Sequence, residues 1–218
     1  MSWTVKTLGR WTVAMTAFGA VILLAGGVRD PFNWGYVAVV AALTLYGMLG
    51  IGQDLARERF APPSPGADRL SLRIVRLAAL AHLVVALVDS RFGWTSVPPL
   101  PRGLALAGFA ACFLLVMRAM LTNRFFSAVV RIQSDRGHHV VDRGPYAHVR
   151  HPGYAGMIPL VPLSALALGS WLALPVALVY SALILRRVVF EDGFLRDNLS
   201  GYAEYAGRVP YRLLPRVR

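Results

Sequence analysis

The stretch Arg143-Gly-Pro-Tyr-Ala-His-Val-Arg-His-Pro-Gly-Tyr-Ala-Gly156 runs directly into an apolar segment at 157–169. Gly144, Pro145, Tyr146, His148, Arg150, His151, Pro152, Gly153 and Tyr154 crowd turn formers, aromatics and cations together, a mixture that makes a poor membrane span and a good binding loop. The Gly-Pro and Pro-Gly corners restrict the backbone, so Tyr146, Arg150, His151 and Tyr154 are presented from a fixed turn.

Working outward, the whole chain is too apolar for an ordinary soluble domain: 218 residues, 56% of them hydrophobic, with a mean hydropathy of +0.52. Several transmembrane helices account for this most simply. The net charge of +12 comes from 22 arginines and one lysine against 11 acids. In a soluble chain that balance would suggest nucleic acid, but here the cations sit between apolar runs, where anionic head groups and the positive-inside rule place them. No nucleic-acid partner is expected. The single cysteine, Cys112, lies in an apolar stretch, which excludes an intramolecular disulfide framework and suits a packing residue.

Hydropathy predicts spans at 11–28, 34–51, 72–88 and 103–121, then two apolar segments at 157–169 and 171–189 joined at Gly169, Ser170 and Trp171. The expected fold is an all-α polytopic bundle of 5 to 6 transmembrane helices, with a cytoplasmic cofactor pocket built by its C-terminal half. Residues 1–121 would hold four spans and the lipid-acceptor side. Residues 122–218 would form the core, with a connector, a helical hairpin and a tail. Arginine and lysine are sparse at 29–33 and 89–102. They are dense in the Pro-rich connector at 53–76, in the connector at 118–153 and in the tail from Arg186 to Arg218. This asymmetry puts the N-terminus, both basic connectors and the C-terminus on the cytoplasmic side. His82, alone in an apolar run, reads first as a structural hydrogen-bonding residue.

On that cytoplasmic face three separate pieces converge: 133–139, 143–156 and the tail from Arg187. Arg187 and Glu191 are spaced i, i+4, so a continuing helix puts them on one face as an ion pair, with Leu195 a turn further on. Taken in order, Asn123-Arg-Phe-Phe-Ser127, Gln133, His138, Gly144-Pro-Tyr146, Arg150-His-Pro-Gly-Tyr154, Gly156, Arg187, Glu191-Asp192, Leu195, Tyr202, Tyr205, Arg208-Val-Pro210 and Leu214-Pro215 resemble the isoprenylcysteine carboxyl methyltransferase family. The resemblance covers the last hundred residues or so. The related phospholipid N-methyltransferases share a similar His-Pro loop and acidic pair, so the pattern bears on reaction class more than on substrate.

The resemblance implies methyl transfer from S-adenosylmethionine to a lipid-like acceptor arriving from the bilayer, on the carboxyl group of an isoprenoid or prenylcysteine-like substrate. It implies cofactor contacts from Gln133, His138, Val140, Gly144, Tyr146, His151, Pro152, Tyr154, Glu191 and Leu195, with Arg150, Arg187 and Glu191 at the chemistry. The residue types agree. Arg150 or Arg187 can grip a carboxylate with a bidentate fork, Glu191 can accept from an ammonium or ribose hydroxyls, and tyrosine faces can stabilise a sulfonium. A carboxylate acceptor needs only orientation, whereas an amine acceptor needs a base such as His148, His151 or Glu191.

Competing readings are weaker. His138, His139, His148 and His151 match no compact metal-ligand spacing. Gly50-Ile-Gly52 lacks the third glycine and the preceding strand of a dinucleotide loop. A phospholipid amine methyltransferase and a membrane reductase using a nicotinamide cofactor remain as alternatives. A transporter would want polar groups at mid-membrane, where this chain offers His82, Pro159, Pro162 and Pro175. Tyr202, Tyr205 and Tyr211 read mostly as interfacial anchors for the tail.

Overall fold

The structure, a computed structural model, describes residues 3–62 and 68–216. The Pro-rich part of the first basic connector, 63–67, and the terminal Arg218 lie outside the described residues. Every apolar run folds as helix, because a chain in hydrocarbon must satisfy its own backbone polar groups. In order these are α1 (Trp3–Gly26), α2 (Pro31–Gly50), α3 (Gln53–Phe60), α4 (Arg69–Phe92), α5 (Pro99–Thr122), α6 (Pro152–Ala167), α7 (Ala173–Asn198) and α8 (Tyr202–Arg208). The starts follow local chemistry. Asp30 accepts from the Phe32 N–H at 2.9 Å ahead of Pro31, and Pro99 and Pro152 begin α5 and α6, where a missing N–H costs nothing.

Five helices, α1, α2, α4, α5 and α7, are long and apolar enough to cross a membrane. The protein is a polytopic all-α membrane bundle. The segment at 157–169 becomes α6, which starts earlier, at Pro152, and has 16 residues. At ~1.5 Å per residue it falls short of a ~30 Å hydrocarbon core. The lower end of the expected range of spans is therefore the one that the helix lengths match. Two other boundaries differ from hydropathy. The basic connector at 53–76 is largely helical, with α3 in it and α4 beginning at Arg69, because arginine stems are good helix formers once a span is nucleated. The last span does not stop near Val189 but continues as α7 to Asn198, which carries Glu191, Asp192 and Leu195 on a rigid rod.

α7 is the most enclosed of the five and α1 the least. α5 and α7 pack on either side of α6, α4 lies against α7, and α1 and α2 close the outer layer. Large residues such as Val13, Leu49, Leu77, Leu104 and Leu178 face outward. Small ones, Ala86, Ala119, Ala165, Ala167, Ala173 and Ala177, fill the centre, as expected where lipid is as apolar as the side chains and close approach drives association. Gly156 shows how close: a Cβ there would lie 2.7 Å from the Cys112 carbonyl oxygen, so α6 meets the α5 backbone itself.

His82 ties three helices together. Its Nδ1 lies 2.5 Å from the Ala79 carbonyl, which can only accept, so that nitrogen carries the proton. Its Nε2 then accepts from the Ser164 hydroxyl (3.1 Å), whose oxygen accepts from Tyr36 (2.8 Å). Every group in this buried chain is matched, which is what a structural histidine requires.

Candidate functional site

The connector after α5 is fixed by its own polar side chains. The Asn123 carboxamide oxygen accepts from the Phe125 N–H (2.9 Å), turning the chain out of the helix. Gln133, 1% exposed, donates to the Phe125 carbonyl (2.7 Å) and accepts from Arg136. Phe125 stacks with His138 at 4.5 Å between ring centres and meets His139 edge-on. The Gln133 backbone N–H donates to His138 Nδ1 (3.3 Å), so a neutral His138 carries its proton on Nε2. Burial first, then His139, Arg131 and Arg136, pull its pKa from 6.5 to about 4, and neutrality is its resting state.

At the far end of the connector, Gly144 adopts φ +58°, a left-handed turn that a Cβ would strain, and so delivers buried Tyr146 to the bundle. The Tyr146 carbonyl accepts from Tyr205 (2.7 Å). The backbone N–H groups of Arg150 and His151 donate to the Tyr211 and Arg212 carbonyls, both at 2.9 Å. The tail is thereby laced onto the His-Pro loop.

Asp192 is the hub of this arrangement. Its carboxylate, 1% exposed, accepts from Arg150 Nε (2.8 Å) and Nη2 (3.1 Å), from Tyr202 (2.9 Å) and from Arg212 (3.1 Å), and lies 3.1 Å from His151 Nε2. Arg150 gives its remaining nitrogen to the Val209 carbonyl (2.8 Å). Because Asp192 can only accept, His151 carries a proton on Nε2, and in the neutral ring Nδ1 is then the acceptor. Burial and the neighbouring Asp192 push the Tyr202 pKa well up, so this phenol stays a donor.

One residue earlier on α7, and therefore on a different face, Glu191 does something else. Tyr154 donates to Glu191 Oε2 (2.5 Å) and accepts from Arg187 Nε (2.9 Å). Arg187 also reaches the Ala128 carbonyl (2.6 Å) and Asp68 Oδ2 (2.7 Å). The i, i+4 ion pair expected from sequence is thus replaced by a relay through a phenol from α6.

These pieces surround a cavity of about 490 Å³. Its polar half is lined by Gln133, His138, Val140, Tyr146, Arg150, His151, Glu191, Leu195, Tyr202 and Tyr205. Its apolar half is lined by Leu72, Val75, Phe113, Met117, Leu160 and Ile184, from four helices. Tyr154, Arg187, Arg59 and Arg76 also border it. The Arg143 to Gly156 loop does fold against the exit of the last long helix.

Position separates the residues expected at the site. Gly144 and Pro152 do not line the cavity; they set the turn and the start of α6 that bring Tyr146 and His151 to it. Arg150 borders the cavity, but its fork is already filled by Asp192, so it is not free to grip a cofactor carboxylate. Tyr202 and Tyr205 are not interfacial anchors but buried parts of the site, 4% and 2% exposed, while exposed His148 lies away from it. Asp192 and Asp68 carried no site assignment. Adjacency to Glu191 on a helix, with successive faces about 100° apart, was the available signal for the first.

The matching family model spans 104–197, the segment that supplies α5, the connector, α6 and α7. Over residues 104–197 the chain is similar to the isoprenylcysteine carboxyl methyltransferase family. Curated relatives agree. Probable protein-S-isoprenylcysteine O-methyltransferase of Oryza sativa subsp. indica is 30% identical over 99 residues, 43% of this chain and 50% of that protein. Protein-S-isoprenylcysteine O-methyltransferase B of Arabidopsis thaliana is 30% identical over 90 residues, 40% of this chain and 46% of that protein. The chain thus matches about half the length of these relatives. A solved structure of the eukaryotic intramembrane Ras methyltransferase ICMT shares the fold, with a TM-score of 0.59 and 21% identity over 89% of this chain and 73% of that one. The likeness of fold therefore extends well beyond residues 104–197.

Proposed function

We propose that this protein is a membrane methyltransferase that esterifies the carboxylate of a prenylcysteine-like lipid, with S-adenosylmethionine as methyl donor. The observation that carries the reading is a single cavity with a polar half made by the family's loop and tail and an apolar half made by four helices. The polar half suits the donor. Glu191 is its acid, able to accept from an ammonium or hydroxyls. His138 offers an Nε2 donor and His151 an Nδ1 acceptor, each fixed by its partner at the other nitrogen. The faces of Tyr146 and Tyr154 suit a cation. Val140 and Leu195 supply apolar walls.

When bound, the donor supplies a sulfonium methyl that a carboxylate oxygen takes, giving an ester and a neutral thioether with no proton to move. The protein's own work is alignment and exclusion of water. The Arg187–Tyr154–Glu191 relay fixes the acid, the Asp192 hub fixes the loop, and the apolar half, on the acceptor side, receives the lipid tail. A carboxylate is favoured over a phospholipid amine because two of the lining arginines, Arg59 and Arg76, form no ion pair among the described residues, which favours an anionic headgroup. The basic connectors and both termini face the cytoplasm in this reading, with the donor entering from that side.

The test is purified full-length protein in lipid nanodiscs, given labelled S-adenosylmethionine with N-acylated S-farnesylcysteine or phosphatidylethanolamine. Saturable donor binding and a methyl ester on the farnesylcysteine are expected. Label on the phospholipid amine, or no donor binding, overturns the reading.

A further inference from the structure

Five arginines line the cavity: Arg59, Arg76, Arg131, Arg150 and Arg187. Three have acids of their own. Arg131 is 2.6 Å from Glu58, Arg150 is 2.8 Å from Asp192, and Arg187 is 2.7 Å from Asp68. Arg59 and Arg76 form no ion pair with any acid among the described residues. Glu191, the acid that lines the cavity, is engaged by Tyr154.

Arg59 is also placed deliberately. α3 is amphipathic and short; Leu55 and Glu58 are its buried residues. Glu58 is clamped by Arg131 and by the Ser127 hydroxyl (2.8 Å), which locks α3 against the connector. Arg59, the next residue, then borders the cavity with its guanidinium 5.4 Å from the Phe126 ring centre. A ring face steadies a cation but leaves its edge N–H groups open to a planar anion. Burial is the main cause that lowers the Arg59 pKa; Tyr154 opposes it, and the fields of Arg187 and Arg76 add to the lowering. An incoming anion would relieve that crowding.

We infer that Arg59, backed by Arg76, is the anion-binding residue for the acceptor, holding its carboxylate where the apolar half of the cavity meets the polar half. This rests on the proposed methyl-transfer reading and deepens it: the acceptor's specificity lies in α3 and α4, outside the 104–197 family segment. Arg150, whose fork is filled by Asp192, and Arg187, paired with Asp68 and bonded to Tyr154 and the Ala128 carbonyl, shape the walls.

Equilibrium binding in nanodiscs tests this with N-acylated S-farnesylcysteine as free acid and as its carboxamide. Wild-type protein should bind the acid tighter by about 10- to 100-fold, the range of one or two hydrogen bonds to a charge. Arg59→Gln should erase most of that gap and raise KM for the acid, with S-adenosylmethionine affinity retained as the check on folding. Arg59→Lys should recover part of it. Acid and amide binding alike in wild type, a result that needs no variant, overturns the assignment, as does a gap that survives Arg59→Gln in protein that still binds donor. If the acid binds selectively through Arg59 yet receives no methyl group, the binding residue stands and the methyltransferase reading fails.

Discussion

Replacing Asp192 with alanine should damage the fold more than the chemistry, and replacing its neighbour Glu191 should do the reverse. The Asp192 carboxylate is 1% exposed and satisfies Arg150, whose side chain is 2% exposed, together with His151, Tyr202 and Arg212. Arg212 can return to water, since its side chain is 45% exposed, but Arg150 cannot. Removing one partner of a buried pair costs about 3–5 kcal/mol. At roughly 2–4 °C per kcal/mol for a chain of this size, the thermal midpoint should fall by about 6–20 °C. Glu191 is only half-buried, and Glu191→Gln weakens one hydrogen bond from Tyr154, costing about 0.5–1.5 kcal/mol. Yet it removes the acid facing the donor site, so saturable S-adenosylmethionine binding should weaken far more than stability does. Thermal unfolding in detergent, followed by intrinsic fluorescence, measures the first quantity, and donor titration of the same samples measures the second. A double variant, Arg150→Met with Asp192→Leu, should recover much of the lost stability, because an apolar pair of similar bulk strands no charge. If Asp192→Ala shifts the midpoint no more than Glu191→Gln, or if the double variant is as unstable as Asp192→Ala, the hub does not hold the site together.

Three more outcomes follow from named contacts. Gly156→Ala puts a methyl 2.7 Å from the Cys112 carbonyl and should cost about 1–3 kcal/mol in detergent unfolding, with backbone rather than a flexible side chain in the way. Tyr154→Phe breaks the relay between Arg187 and Glu191 at both ends and should lower kcat/KM by about 10- to 100-fold, while the thermal midpoint moves far less than in Asp192→Ala. His138 titrates near 4 when folded and near 6.5 when unfolded. The unfolded chain therefore binds the extra proton between those values, so the stability contributed by the neutral ring is complete above 6.5 and erodes as pH falls toward 4. A His138→Asn variant should show a shallower decline of thermal midpoint across that window than wild type.

The bundle was legible because its evidence is one-dimensional: an apolar run either is or is not long enough for a bilayer. Where hydropathy erred, charges at helix ends misled it. Arg69, Arg73 and Arg76 are polar, yet they belong to the first turns of α4 rather than to a loop. The residues around Glu191 likewise belong to α7, which is why the acid arrives on a helix and not on a loop. α6 was ambiguous for another reason. Pro159 and Pro162 sit inside a continuous helix because neighbouring helices enclose the backbone they free, and its shortness leaves room for the loop that precedes it.

The site was legible as a list of residue types but not as an allocation of charges. Sequence identifies Arg150 and Arg187 as able to grip a carboxylate; it cannot say that each is already paired, Arg150 through its fork with Asp192 42 positions away and Arg187 as an ion pair with Asp68 119 positions away. Once those pairs are made, the cations near the chemistry that remain without an acid come from α3 and α4, in the half of the chain where the family pattern is silent. Arg59 is half-buried, and a cation partly withdrawn from water without an acid is a standing cost to the fold. Leu55 and Glu58 hold Arg59 at the cavity regardless, so the compensation has to come from what enters it. An amphiphile that is anionic at the head and apolar along its length meets that demand at both ends of the cavity.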